Sequence, residues 1–258
     1  MLWAVAGALL VGLSLGLLGS GGSILTVPVL TYLVGQDEKI AIAGSLGIVG
    51  AISLVAALPY ARSRLVDYRS ILFFGVPGMA GAYLGASLSQ FVSGATQLAV
   101  FAALMLVAGV FMLRPFEEHG DAEVVHRNVL KIALEGLTVG VVTGFVGVGG
   151  GFLIVPALVL LGGLPMHRAI GTSLFIIALK SFTGFYKYLD VLDGLGLRLD
   201  WNVVGTFTLL GILGGFAGKA VSTKLPQQLL KRSFAVFLFV VGAFIVAQSL
   251  PELIGPAN

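Results

Sequence analysis

The chain has 258 residues, 57 % of them apolar and 10 % charged, with a mean hydropathy of +1.04 and a net charge of +3. A soluble domain carries roughly a quarter of its residues as charge, so water is not the main solvent of this surface. Cysteine is absent, which excludes disulfides, thiolate catalysis and cysteine-held metals. The cations sit in loops between apolar runs, where they report topology and not nucleic-acid binding.

The first residues, Met1-Leu2-Trp3-Ala4-Val5, lack a basic region and lead into a repeated element, so they read as a first helix and not as a cleaved leader. The expected order is an apolar helix at 2–18, a glycine break at 19–23, a short apolar segment at 24–34, and longer segments at 41–60, 70–90 and 95–113. A polar stretch follows. The second series is 130–146, a break at 147–151, a short segment at 152–163, then 168–188, 202–222 and 229–249. Each short segment is about 17 Å long at 1.5 Å per residue, too short for an upright span of a ~30 Å hydrocarbon core. It is therefore re-entrant or a packed half-helix.

The two series are one unit written twice. Gly12, Gly16, Gly19, Gly21, Gly22, Leu25, Val27, Pro28 and Leu30 recur 128 positions later as Gly140, Gly144, Gly147, Gly149, Gly150, Leu153, Val155, Pro156 and Leu158. The same offset relates Ser45 to Ser173, Ser53 to Ser181 and Tyr60 to Tyr188, and after a five-residue insertion it becomes 133, relating Gly109 to Gly242. This divides the chain into a first transmembrane repeat at 1–113, a polar cytoplasmic linker at 114–128 and a second repeat at 129–258.

Charge placement implies that the repeats are inverted. Arg62, Arg64 and Arg69 lie between the third and fourth segments of the first half, whereas Lys219, Lys224, Lys231 and Arg232 lie one loop later in the second. Lys and Arg in short loops favour the cytoplasm, so corresponding loops lie on opposite sides. The fold expected is an all-α polytopic membrane protein of two inverted-topology repeats, each a glycine-broken pair plus three longer transmembrane helices. The central loop is then inside the cell and both termini outside, in a multi-pass inner-membrane protein.

The breaks Gly19-Ser20-Gly21-Gly22-Ser23 and Gly147-Val148-Gly149-Gly150-Gly151 are the candidate site, with Pro28 and Pro156 supporting each break by removing a helical donor. Unpaired backbone groups cost several kcal/mol each in lipid and survive only in protein or beside a cavity. Two breaks at matching positions of inverted halves mark a transporter site near the midplane. The helix starts that follow present N–H groups and a partial positive charge, and so suit a small anion. Gly12/Gly16 and Gly140/Gly144 are instead read as close-packing residues. A phosphate loop is not expected, because no Gly-Lys-Ser/Thr ends the second run.

Lys180, in the middle of the segment 168–188, is the second clue: an ionisable group at depth is a functional hypothesis, with a structural pair to Glu135 as the alternative. Ser45, Thr172 and Ser173 are candidates to line the same cavity or to cap helix starts.

The sequences Gly-Leu-Leu-Gly-Ser-Gly-Gly-Ser-Ile-Leu-Thr-Val-Pro and Gly-Phe-Val-Gly-Val-Gly-Gly-Gly-Phe-Leu-Ile-Val-Pro, with the duplicated halves and short central loop, resemble the sulfite exporter TauE/SafE family of membrane transporters. The resemblance covers nearly the whole chain and implies transport of small sulfur-containing anions such as sulfite or organosulfonates. The expected function is secondary transport, in the export direction, of such an oxyanion bound at the glycine breaks; an anion channel or a carrier of another carboxylate or oxyanion is the alternative. An enzyme is not expected, since His119, His126 and His167 fall in loops or at span edges and no metal-ligand spacing occurs. No cofactor is implied. A coupling proton or sodium ion and a homodimer are compatible with the sequence, and the partners are a small anion and the lipid bilayer.

Overall fold

The computed structural model describes residues 2–19, 21–113 and 129–254; Ser20 and the linker 114–128 lie outside the described residues. Among the described residues ten helical elements follow one another: α1 Leu2–Leu18, α2 21–33, α3 Glu38–Arg62, α4 Tyr68–Phe91, α5 Gly94–Leu113, α6 Val129–Val146, α7 151–161, α8 Met166–Gly194, α9 Trp201–Ser222 and α10 Gln227–Ile254. Among the described residues, seven helices (α3–α6 and α8–α10) are long and apolar enough to cross a membrane.

Helix ends follow local chemistry. Asp37, Asp67 and Asp200 cap α3, α4 and α9 by accepting from backbone N–H groups of the first turn. Pro28 and Pro156 each lead into a π-helical turn, Val29–Leu33 and Ala157–Leu161, because a ring without N–H leaves the i→i−4 ladder one bond short. α8 continues to Gly194, past the expected end at 188. Its last turns carry Asp190 and Asp193, so hydropathy falls there while the helix itself runs on.

Helix pairing is reciprocal between the halves: α1 packs on α9, α4 on α6, α3 on α8 and α5 on α10. The first two pairs are held by glycine. A Cβ added at Gly12 would lie 1.9 Å from the Gly211 carbonyl oxygen, and one at Gly16 2.0 Å from that of Gly215. On the other side, a Cβ at Gly140 would lie 2.4 Å from the Gly78 carbonyl oxygen and one at Gly144 2.2 Å from that of Ala82. Only glycine admits such approach, which is how helices associate where no hydrophobic drive separates them from lipid.

The direction of each pair can be read from the same contacts. In α1–α9 and α4–α6 residue numbers rise together, so these pairs are parallel. In α3–α8, Gly47 meets Phe185, Gly50 meets Phe182 and Ser181, and Gly171 meets Tyr60, so the pair is antiparallel. In α5–α10, Gly109 meets Phe239 and Gly242 meets Leu106, also antiparallel. The α3–α8 pair forms the middle of the molecule: the stretches Ala41–Gly50 and Ala169–Leu174 are wholly buried. Faces of α1, α5, α9 and α10 turn Leu10, Leu13, Val107, Phe111, Leu209, Leu213, Val240 and Phe244 outward, as lipid contact requires.

Candidate functional site

Both glycine breaks bend back toward the middle of the α3–α8 pair. α1 ends at Leu18, and Gly19 leaves the helix with φ +73°; Gly147 does the same after α6 with φ +72°. Side-chain-bearing residues rarely adopt this backbone, and neither position has room for one. A Cβ at Gly19 would meet the Ile170 Cα at 2.8 Å, and one at Gly147 the Ile42 side chain at 2.0 Å.

Beyond the first turn-off, α2 runs back antiparallel along α1, with Gly22 against Val11 and Leu15 and Val29 against Gly7. Gly22 is thereby level with Gly12, which faces Gly211, which in turn touches Ile52 near the centre of α3. In the second half, a Cβ at Gly149 would sit 2.8 Å from Ser181 Oγ and 2.9 Å from Val49, again at mid-height of the central pair. Both half-helices therefore begin half-way along α3 and α8, and α2 and α7 pack against each other. Their first N–H groups have no acceptor within their own helix. Gly21 and Gly151 are the opening residues of α2 and α7, and Val148 is fully buried in the second break. Ser23 is buried and already engaged in an interaction, so its hydroxyl is not free.

Ser45 and Ser173 prove to be cross-ties. Each back-bonds its own helix, to Ile42 and Ile170, and each also reaches a carbonyl of the opposite break: Ser45 Oγ donates to Gly147 O at 3.1 Å and Ser173 Oγ to Gly19 O at 3.1 Å. The central helix of each half thus holds the break of the other. Neither serine caps a helix start, since both lie two turns inside. Thr172 Oγ1 accepts from the Asp67 N–H at 2.8 Å, tying α8 to the loop before α4.

Lys180 is the central residue of α8, 1 % exposed, and its Nζ has no hydrogen-bond partner among the described residues. Its stem lies against α4, 3.1 Å from where a Cβ on Gly78 would sit, a spot also 3.2 Å from the Gly136 carbonyl oxygen. The two glycines leave the space that this side chain fills. Ser53 Oγ and Ser181 Oγ, matched across the repeat, are likewise buried and without a partner.

The ends of the central pair are closed by tyrosines, also a repeat pair. Tyr60 OH donates to Gly16 O at 2.7 Å, and Tyr188 OH to Phe145 O at 3.1 Å. The Tyr188 end carries more: Gln97 Nε2 donates to Tyr188 OH at 2.8 Å and to Phe145 O, while Lys39 Nζ donates to Gln97 Oε1 and to Ser89 O at 2.7 Å. At the Tyr60 end, His167 Nε2 lies 3.3 Å from Ser222 O, and Lys219 Nζ stands 5.6 Å from the Tyr60 ring. Sequence reasoning passed over Ser53, Ser181, Tyr60, Tyr188, Lys39 and Gln97 as site residues. The 128-residue offset that pairs the serines and the tyrosines was the available signal.

Among the described residues there is no group of His, Asp and Glu able to hold a metal. A bundle of apolar spans enclosing two broken helices, with a buried lysine that has no hydrogen-bond partner among the described residues, is a multi-pass membrane protein whose broken helices point to the transporter class. Comparison with known proteins makes the class specific. Residues 4–245 match the family model described as Sulfite exporter TauE/SafE, and the chain belongs to that family. It is 35 % identical over 253 residues to a probable membrane transporter protein of Xylella fastidiosa strain 9a5c, covering 95 % of this chain and 94 % of that one. It is 26 % identical to the probable membrane transporter protein YunE of Bacillus subtilis, covering 91 % and 93 %. A probable membrane transporter protein of Methanocaldococcus jannaschii, MJ0441, is also 26 % identical, covering 92 % and 94 %. No solved structure matches the chain.

Proposed function

We propose that this protein is a secondary transporter that exports small sulfur-containing oxyanions such as sulfite or organosulfonates across the cell membrane, binding the anion between the starts of α2 and α7. The observation that carries the reading is the meeting of two interrupted helices half-way along the α3–α8 pair, each presenting N-terminal N–H groups in a buried setting. Such ends bind anions, and a site at the interface of broken helices is the arrangement of secondary transporters. Lys180 adds a positive charge at the same height.

The halves are inverted in this reading. Equivalent helices related by an axis along the membrane normal would run parallel, yet α3 and α8, and α5 and α10, run antiparallel. The charged loops support the same orientation. Lys219 Nζ lies 3.4 Å from Ser63 Oγ, which brings Arg62, Arg64, Lys219 and Lys224 to one face. The antiparallel α3–α8 pair puts the start of α3 (Asp37, Glu38, Lys39) with the end of α8 and the start of α9 (Lys187, Asp190, Asp193, Arg198, Asp200) at the other face. The Arg-rich face is then cytoplasmic, with the linker 114–128 on that side and both termini outside.

Direction follows from the membrane potential, worth about 2.3 kcal/mol per unit charge per 100 mV. With a negative interior an anion runs outward unaided, whereas uptake would need a coupling proton or sodium ion. Purified protein in liposomes tests the proposal. Saturable sulfite efflux with counterflow is expected; ohmic unitary current would make the protein a channel, and neither flux nor current would end the transport reading.

A further inference from the structure

We infer that Ser53 and Ser181, a pair related by the internal repeat, are the side-chain donors that select the anion, a deepening that rests on the transport reading above. Other buried hydroxyls inside helices show how a serine or threonine satisfies itself in this environment; besides Ser53 and Ser181, only Thr31 Oγ1 near the end of α2 and Ser222 Oγ at the end of α9 are buried without a partner among the described residues. Ser14 donates to Val11 O, Thr26 to Gly22 O, Ser45 to Ile42 O, Thr143 to Val139 O and Ser173 to Ile170 O. Back-bonding of this kind needs only a rotation about χ1 and removes the penalty of an unpaired donor in a low-dielectric interior. Ser53 and Ser181 do not take it. Both are 0 % exposed, and both Oγ atoms are without a partner among the described residues.

Their placement points to a ligand. Ser181 Oγ faces the second break, 2.8 Å from where a Cβ on Gly149 would sit, and its Cβ lies 3.3 Å from the corresponding point on Gly50 of α3. Ser53 occupies the equivalent position in the first half, 128 residues earlier, on the facing central helix. The second break thus faces an unengaged hydroxyl, and the internal repeat pairs it with a second one, Ser53 on α3.

The donor set defines the ligand class. Two hydroxyls and two helix starts offer many hydrogen-bond donors and a partial positive field, and Lys180 adjoins Ser181 on α8. Between Ile40 and Tyr60 of α3, and between Met166 and Leu189 of α8, there is no carboxylate. An ammonium group brought between α3 and α8 would find no counter-charge on either helix over these stretches. The site therefore favours a fully deprotonated oxyanion with several acceptor oxygens over an amino-sulfonate zwitterion, and over a halide, which gains less from directional donors.

The test uses the full chain in detergent, with sodium sulfite, sodium sulfate, sodium chloride and taurine as probes, read by equilibrium binding and melting temperature. Wild type is expected to bind sulfite or sulfate more tightly than chloride or taurine. Ser53→Ala and Ser181→Ala should each weaken the oxyanion by about 5- to 10-fold, the usual effect of one lost hydrogen bond, with chloride binding unchanged. Their ligand-free melting temperatures should equal or exceed wild type, because alanine removes an unpaired polar group. Ser181→Thr, which keeps the hydroxyl, should retain more oxyanion affinity than the alanine variant. Alanine variants that bind oxyanion like wild type, or that melt markedly lower without ligand, would overturn the serine assignment while leaving the transport reading in place. A wild-type protein that responds to neither sulfite nor sulfate would overturn both.

Discussion

Replacing Lys180 with methionine separates a functional charge from a structural one, because the two roles move stability in opposite directions. The side chain is 1 % exposed at the centre of α8, packed against Gly78, and its ammonium has no hydrogen-bond partner among the described residues. Methionine has similar length and flexibility, so the space between Gly78 and Gly136 stays filled. Exchange of a buried ion pair for apolar groups of like volume is neutral or stabilising by about 1–4 kcal/mol, and replacing a buried lysine without a partner among the described residues should move stability in the same direction. At about 2–4 °C per kcal/mol for a chain near this size, the ligand-free melting temperature should rise by several degrees. A charge-assisted hydrogen bond contributes about 1.5–3 kcal/mol, so the affinity for sulfite should fall roughly 10- to 150-fold. Thermal unfolding of the detergent-solubilised protein with and without sulfite reads both quantities. A Lys180→Met protein that melts lower than wild type and binds sulfite equally well would refute the reasoning and assign the lysine to packing.

Other substitutions follow from specific contacts. Gly12→Leu should abolish the folded, monodisperse protein on size exclusion, because its Cβ would lie 1.9 Å from the Gly211 carbonyl oxygen and neither helix can retreat without losing α1–α9. Gly22→Val should likewise fail as a fold and not merely close the site, since a Cβ there sits 2.1 Å from the Val11 carbonyl oxygen. Ser45→Ala releases the Gly147 carbonyl and should cost about 1 kcal/mol; hydrogen exchange should accelerate at 147–150 and not at Gly19, with Ser173→Ala giving the converse. Gln97→Leu leaves Lys39 and Tyr188 short of partners and should lower the melting temperature by an amount matching about 1–3 kcal/mol, whereas Leu230, the matching residue of the other half, shows that the fold itself accepts leucine there.

The spans were legible in the sequence because lipid demands long apolar runs, and Leu2–Leu18, Gly94–Leu113 and Trp201–Ser222 lie within a residue or two of where hydropathy puts them. The end of α8 was not, since Asp190 and Asp193 break the apolar run while the backbone hydrogen bonds continue into the aqueous edge. The breaks announced themselves through glycine and proline. What those breaks touch depends on the antiparallel meeting of α3 and α8, which no local pattern encodes. For that reason no local pattern could show that Ser45 and Ser173 tie each half to the other's break. Ser53 and Ser181 stood in plain view as a repeat pair, but a serine inside an apolar helix ordinarily bonds its own backbone, and only the packed structure shows that these two do not.

Single cysteines placed in this cysteine-free chain and challenged with a membrane-impermeant thiol reagent bear most directly on the claim that two inverted halves aim their broken helices at one central site. Cysteines at Arg64 and Lys224 should react only from the cytoplasmic side, and one at Arg198 only from outside. Labelling of Arg64→Cys and Lys224→Cys from opposite sides would make the halves parallel and contradict the account.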